Sequence, residues 1–169
     1  MRFLISVVVA ALLLASHAVL ADDLVATDLK PMRHPPAQLV VVAPDGNEIT
    51  YTQAELEELT TYSLTTTTPW RDVPAQFEGV LLSDVLAANG LDRVPSILVT
   101  AENDFTTTFS RALLDTVPVL VATRVDGRPH SRRARGPIQF VIGADTHASS
   151  NLTSEANFVW MAARIEPGA

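Results

Sequence analysis

The sequence predicts one α+β domain built from many short strands and a few short helices. Runs of β-branched and apolar residues recur along the chain and are bounded by Gly, Pro, Asn or Asp, which is typical of strands and turns. Helical patterns are few and short, and each begins at a residue that suits a helix N-cap. Because helices and strands do not alternate regularly, a doubly wound parallel sheet is not expected.

The predicted folded body begins at Gln38. A β-rich run, 39–42, is followed by the turn signal Asp45-Gly46 and by a returning strand, 48–51. Thr52 then opens a short helix that ends at residue 59, because Glu55 stands three residues later and completes a capping-box pattern.

The middle of the chain is predicted to contain two further strands and one helix. Residues 61–67 are rich in threonine and favour a strand, which Pro69 ends, and a polar loop follows as far as Gln76. Residues 77–80 lead into a helix at 83–88, and Asn89-Gly90 is a C-terminal stop signal. Residues 97–101 are predicted to be the next strand.

The last part of the chain is predicted to be mainly strands. We expect strands at 105–109, 119–125, 138–142 and 158–165, and Ser110 as the cap of a helical turn that runs to residue 115. The Asp126-Gly127 turn leads into a loop rich in arginine, residues 128–137, called the arginine loop below. Residues 145–154 are polar and are predicted to be a mobile loop.

The first 21 residues have the pattern of a secretory signal peptide. Arg2 supplies the positive end, residues 3–14 are apolar, and Val19-Leu20-Ala21 forms a small-residue cleavage site. The alternative is an uncleaved membrane anchor, but Ser16 and His17 interrupt an apolar run that is short for a span. We therefore expect cleavage after Ala21, a periplasmic or secreted location, no membrane span in the mature chain, an extended leader at 22–37, and one domain at 38–167.

Composition excludes several classes of function. The formal net charge is −7, and loss of Arg2 with the signal peptide makes the mature chain one unit more negative. Such an acidic chain is not expected to bind nucleic acid. The chain contains no cysteine, which excludes disulfides, zinc-thiolate sites, iron–sulfur clusters and a thiol nucleophile. His130 and His147 have no carboxylates at a ligand spacing, so no metal site is predicted.

A series of weak motifs occurs in one order between Val40 and Ile165. The motifs are Thr52-x-x-Glu55-Leu56, Trp70, Phe77-x-Gly79-Val80-x-Leu82-x-Asp84-x-Leu86, Ala101-x-Asn103-Asp104-Phe105, Val121-Ala122-Thr123-x-x-Asp126-Gly127 and Gly136-Pro137. Together they resemble the oxidoreductase molybdopterin-binding domain of the sulfite-oxidase type, in a small secreted subgroup that has the core domain only. The resemblance implies a mixed, multi-sheet α+β fold, which in active members buries molybdopterin.

Two departures from the family pattern speak against molybdenum catalysis. In active members a cysteine thiolate holds the metal, four residues before the tryptophan, and here that position is Thr66. A threonine hydroxyl is a hard and weakly acidic donor, and it is a poor substitute for a soft thiolate. Secreted enzymes of this type often carry a twin-arginine signal, whereas this signal contains Arg2 alone. Molybdopterin is possible by resemblance, but molybdenum is not expected and no catalytic residue is assigned.

The strand before Trp70 supplies the first candidate ligand-binding residues. Thr66 and Thr68 lie on one face of the predicted strand and offer hydroxyls to a pocket, or simply suit a half-buried strand. Trp70 offers a plane on which a heterocycle can stack, or serves as a core aromatic residue that holds the loop.

The remaining candidates lie in two turns and the arginine loop. Asn103 and Asp104 either orient a ligand at the mouth of a pocket or only form a turn. The arginine loop contains four arginines within eight residues, and arginine binds phosphate or carboxylate through a planar fork. The alternative is a solvated, charge-balancing loop. The candidates in this group are Arg124, Arg132, Arg133 and Arg135.

Three functions remain open at this point. The first is an exported binding module for a small anionic or heterocyclic ligand, which could act on a sensor protein in the envelope. The second is a molybdopterin-dependent oxidoreductase with an unusual, non-cysteine ligand set. The third is a partner-binding protein whose pocket has collapsed.

Overall fold

The computed structural model describes residues 24–168, which form two β-sheets and four α-helices. The predicted signal peptide, residues 1–21, lies outside the described residues. In chain order the elements are β1 (Val25–Thr27), β2 (Gln38–Val42), β3 (Glu48–Thr52), α1 (Gln53–Leu56), β4 (Thr61–Thr68), β5 (Arg71–Leu81), α2 (Leu82–Ala88), β6 (Ser96–Ala101), β7 (Thr106–Ser110), α3 (Arg111–Thr116), β8 (Leu120–Val125), β9 (Arg128–Pro129), β10 (Gln139–Val141), α4 (Ala144–Ser149) and β11 (Ala162–Pro167). The α+β class is confirmed.

The two sheets have different strand orders. The first sheet runs β1-β4-β5-β8-β10, with β9 paired to β8, and its strand pairs are antiparallel. The second sheet runs β3-β2-β11-β6-β7, and within it β11 pairs in parallel with β2. The last strand therefore lies between β2 and β6, so the C-terminal segment completes the second sheet.

The main core joins the two sheets. Val80, Val121 and Phe140 from the first sheet pack in one cluster with residues of the second sheet such as Val99 and Phe109, all of them fully buried. The rings of Phe109 and Phe140 meet edge to face, with centroids 5.8 Å apart. Because side chains alternate along a strand, Leu120 and Ala122 point from β8 to the opposite face, where a smaller cluster forms.

Several segments differ from their predicted structure, and α1 ends at Leu56 instead of at residue 59. The predicted polar loop before Gln76 is the first half of β5, an extension of the β4–β5 hairpin whose side chains are mostly exposed. Its polar composition reflects that exposure, and Pro74 lies beside a register shift, where a missing amide hydrogen bond is tolerated. The polar stretch predicted to be a mobile loop contains α4, and the regular part of the last strand begins at Ala162, later than predicted.

The segment assigned to a leader is packed onto the body from residue 24 onward. β1 pairs antiparallel with β4, and the side-chain amide of the buried Gln53 donates to the carbonyl of Pro35 at 3.1 Å. Within residues 24–37 the segment contains one short strand and no helix, and it covers one edge of the first sheet.

Candidate functional site

The arginine loop folds back on itself after a tight hairpin. Asp126 and Gly127, with φ of 51° and 70°, form the turn between β8 and β9. A 3₁₀ turn, Arg132–Ala134, follows and ends at Arg135, whose φ of 77° lies in the left-handed region. Gly136 closes the loop, and a Cβ there would lie 2.6 Å from His130 Cγ and 2.7 Å from the His130 carbonyl oxygen. A residue without a side chain is therefore required for the loop to close over His130.

The loop forms one wall of a cavity of ≈380 Å³, called the arginine cavity below. The other walls come from the tip of the β4–β5 hairpin, from β8 and β10, and from the segment before β11. The lining residues are Thr68, Trp70, Arg71, Phe77, Val125, His130, Arg132, Arg133, Ala134, Arg135, Gln139 and Trp160. Trp70 and the arginine loop, more than 50 residues apart in the sequence, are thus brought to one site.

The arginine cavity contains more positive charge than its neighbours neutralise. Arg132 donates to Glu102 at 2.8 Å, and Arg71 lies 3.5 Å from Asp126. Within residues 24–168, Arg133 and Arg135 have no carboxylate at ion-pair distance. Two guanidinium groups without a counter-ion therefore face one concave surface of a protein whose net charge is −7.

Arg135 is held by aromatic rings instead of carboxylates. Its guanidinium carbon lies 4.7 Å from the ring centroid of Trp70 and 5.2 Å from that of Trp160. A guanidinium over an aromatic ring is attracted by the electron-rich face of the ring, so these contacts hold the charge of Arg135 in place. They do not pair its N–H groups with a carboxylate, so those donors can bind an oxyanion.

His130 is a buried neutral group beside the arginines. Its Nε2 lies 2.8 Å from Gln139 Oε1, and since that oxygen only accepts, Nε2 carries the proton. Its Nδ1 is buried without a hydrogen-bond partner. Burial lowers the pKa of His130 and outweighs the Gln139 bond, which raises it, and Arg71 lowers the pKa further. His130 therefore adds no positive charge to the cavity at neutral pH.

Thr66 and Thr68 have different surroundings although both are buried. Thr68 lines the arginine cavity, whereas Thr66 does not. The Thr66 Oγ1 accepts a hydrogen bond of 2.8 Å from the backbone N–H of Ala144, the first residue of α4. The N-cap residue of α4 is Gly143, which has no side chain to accept from the first N–H groups of the helix. Thr66, in β4, accepts from one of these groups instead.

Asn103 and Asp104 lie in the turn between β6 and β7 and are exposed. The side-chain oxygen of Asn103 accepts from the backbone N–H of Phe105, and Asp104 has a φ of 64°. Neither residue lines the arginine cavity. The structure therefore places them as turn residues and does not bring them together with the arginines.

Arg124 forms a buried ion pair with Glu57, outside the arginine cavity. Its guanidinium donates to both carboxylate oxygens of Glu57 and to the carbonyl of Lys30. Thr123 Oγ1 and His34 Nε2 also bond to Glu57, at 2.6 Å and 3.1 Å. Arg124 thus ties the N-terminal segment to α1 and β8, and it does not line the arginine cavity.

Several lining residues are not among the candidates from the sequence, notably Arg71, His130, Gln139 and Trp160. The sequence predicts a loop at Arg71 and ordinary strand positions at Gln139 and Trp160. His130 was considered only as a metal ligand. The one signal that could have found any of them is the adjacency of Arg71 to Trp70, because a charged residue beside an exposed aromatic residue often lies at the edge of a site.

Two further features bear on function. Within residues 24–168 no cluster of three histidine, aspartate or glutamate side chains is arranged to hold a metal ion. In the same part of the chain, no helix has the length and apolar character needed to cross a membrane.

Comparison with known proteins shows similarity of fold. The chain is similar to the sulfane dehydrogenase SoxCD from Paracoccus pantotrophus, with a TM-score of 0.60 and 12% sequence identity. The similarity covers 82% of this chain but only 39% of the dehydrogenase chain. No protein-family model and no curated protein matches the sequence. The fold of this chain therefore occurs within a redox enzyme of greater length.

Proposed function

We propose that this protein is an exported binding module of the sulfite-oxidase type that has lost molybdenum catalysis and binds a small oxyanion in the arginine cavity. The observation that carries the proposal is the pair of guanidinium groups, Arg133 and Arg135, that line the cavity and have no carboxylate at ion-pair distance among residues 24–168. Like charges in one concave site repel each other, and a bound anion would relieve that repulsion. Phosphate and carboxylate both suit the planar arginine fork.

The contacts of Thr66 support the loss of molybdenum. At the position where the family resemblance expects a metal-binding thiolate, this chain has a hydroxyl that already accepts a bond from Ala144 N–H. That oxygen lies outside the arginine cavity and is a hard donor. The residues present do not fit the metal.

The loss of molybdenum leads to a direct prediction. Protein purified from the native envelope should contain less than about one molybdenum atom per ten chains, because the chain lacks the soft ligand that holds this metal. Metal analysis by mass spectrometry measures the ratio. A ratio near one metal per chain would instead favour the oxidoreductase with an unusual ligand set.

The openness of the arginine cavity favours ligand binding over a collapsed pocket. The cavity has ≈380 Å³ of free volume and is lined largely by polar and charged side chains, not filled by apolar ones. Its size suits a small organic anion. An envelope sensor protein that responds to the occupied module is part of the proposal, and cross-linking in intact envelopes with and without added ligand would detect it.

The arginine loop provides the second prediction. We expect the double variant Arg132→Ala, Arg133→Ala to bind flavin mononucleotide at least about tenfold more weakly than the unmodified protein, because the cavity wall loses two positive charges, one of them the carboxylate-free Arg133. Isothermal titration calorimetry measures the affinity, with riboflavin as the ligand that lacks the phosphate and inorganic pyrophosphate as the anion without a ring.

A matched control distinguishes the loss of contacts in the arginine cavity from the loss of two positive charges as such. The double variant Arg33→Ala, Arg93→Ala removes the same two charges from exposed positions that do not line the arginine cavity. It should bind within about twofold of the unmodified protein, because screened surface charges act weakly. Equal weakening in both double variants would assign the binding to general electrostatics, and absence of binding by all three ligands would contradict the proposed function.

A further inference from the structure

A second recess adjoins the arginine cavity and shares two of its walls. The recess has a volume of ≈250 Å³ and is lined by Trp70, Phe105, Glu155, Ala156, Phe158 and Trp160. Trp70 and Trp160 belong to both spaces, and Arg135 lies over both rings. The charged cavity and the recess are therefore neighbours that share the two indoles.

The recess is apolar and partly open to solvent. Trp70 is 39% exposed and Phe105 is 42% exposed, although both are large apolar side chains. Phe158 forms the buried floor. Large apolar side chains grouped at the mouth of a concave site commonly mark a surface that a ligand covers.

Among the residues that the structure describes, Glu155 is the only ionisable one that lines the recess. Glu155 and Phe158 also line a third space of ≈290 Å³, together with His147. The arginine cavity thus has an excess of guanidinium groups, whereas the adjoining recess has a carboxylate; these two neighbouring spaces are together called the groove below. A ligand that spans the groove would meet opposite charges at its two ends.

We propose that the ligand is amphipathic, with an oxyanion head in the arginine cavity and an aromatic body that extends past Trp70 and Trp160 into the recess. Its far end has no second negative charge, because Glu155 would repel it. The inference rests on the proposed function, since it requires that the arginine cavity binds the head. It adds the class of ligand: a monoaryl phosphate or a related aryl oxyanion.

A pair of simple probes tests the apolar body. Phenyl phosphate should bind at least about tenfold more tightly than methyl phosphate, because the ring covers apolar surface that methyl phosphate cannot reach. The variant Phe105→Ala should bring this affinity ratio close to one. Leu152→Ala is the matched control, since Leu152 is 41% exposed but lines neither space, and it should keep the ratio.

A third probe tests the polarity of the groove. 4-Carboxyphenyl phosphate places a second negative charge at the far end of the ring, and it should lose most of the gain that phenyl phosphate shows. The variant Glu155→Gln removes the opposing carboxylate and should restore the binding of this probe by about tenfold. Calorimetry at low and high salt measures each affinity, and circular dichroism checks that each variant is folded.

The outcomes separate this inference from the proposed function. If methyl and phenyl phosphate bind equally well, the aromatic body is overturned while oxyanion binding stands. If Phe105→Ala and Leu152→Ala leave the ratio equally high, the ring lies elsewhere and the inference fails. If no phosphate ester binds and the arginine variants change nothing, the proposed function itself fails. The inference is supported if Glu155→Gln restores the affinity for 4-carboxyphenyl phosphate and if Phe105→Ala removes the preference for phenyl phosphate over methyl phosphate.

Discussion

Replacement of Glu57 by Gln is expected to lower the free energy of unfolding by about 3 to 5 kcal/mol. The side chains of Glu57 and Arg124 are 7% and 4% exposed, and Arg124 donates to both carboxylate oxygens. Gln keeps the shape but not the charge, so the buried guanidinium loses its counter-ion. Thermal and urea unfolding, followed by circular dichroism, measure the loss.

Two further variants define the origin of this loss. Glu58→Gln removes an exposed carboxylate next in the chain and should change the free energy of unfolding by less than about 0.5 kcal/mol. The double variant Glu57→Gln, Arg124→Met should be more stable than Glu57→Gln alone, because the unpaired charge is also removed. A loss of less than about 1 kcal/mol in Glu57→Gln would mean that water reaches the pair and screens it.

The same ion pair gives a pH dependence with a definite sign. Burial by itself raises the pKa of Glu57, but hydrogen bonds from Arg124, Thr123 and His34 together lower it below 4.5, the ordinary value for this group. The unfolded chain therefore binds the proton first as the pH falls. The contribution of Glu57 to stability is fully present above about pH 4.5 and is lost as the pH falls through the folded-state pKa. Glu57→Gln should flatten the stability curve in this acid range.

Replacement of Gly79 by Ala is expected to lower the free energy of unfolding by more than about 4 kcal/mol, or to prevent folding. A Cβ on Gly79 would lie 2.0 Å from the Val121 carbonyl oxygen and 2.9 Å from the Ala122 Cα. Both are backbone atoms of the neighbouring strand β8, so the clash can be relieved only if β5 and β8 separate. The register shift between Glu78 and Gly79 marks this close approach.

Another glycine provides the comparison for this steric effect. Gly46 has a φ of 87°, and a Cβ there would meet no atom within 4 Å. Gly46→Ala should therefore cost only the strain of a left-handed residue, about 1 to 2 kcal/mol. Urea unfolding of the two variants measures the difference, and equal losses would mean that β5 can shift away from β8 at little cost.

Local patterns predicted most of the strands correctly. The runs that became β2, β3, β6 and β8 contain residues that favour strands and are bounded by turn signals, and the capping box at Thr52 is present as predicted. The strand runs and the capping box are short-range features, so they can be recognised from neighbouring residues alone. The first half of β5 was missed because its stability comes from pairing with β4 and not from apolar residues of its own.

The candidate site was predicted only in part, for a similar reason. Trp70, Thr68 and the arginine loop do line one cavity, but Arg124 instead binds Glu57. Arg124 is part of the buried β8, where a charge requires a partner, whereas Arg132 and Arg133 of the arginine loop are exposed. Nothing in the sequence around Arg124 distinguishes the two cases, because its partner is 67 residues away.

The sequence by itself determined the α+β class, the absence of any thiol chemistry, the acidic charge and the hydroxyl of Thr66 where the resemblance expects a thiolate. These follow from residue identity and local pattern. Only the tertiary structure decided that Arg135 lies over Trp70 and Trp160, that Arg133 has no carboxylate beside it within residues 24–168, and that Thr66 accepts a bond from α4. The physical reason is that burial, ion pairing and stacking depend on distances between residues far apart in the chain, and the strand order of the two sheets sets those distances.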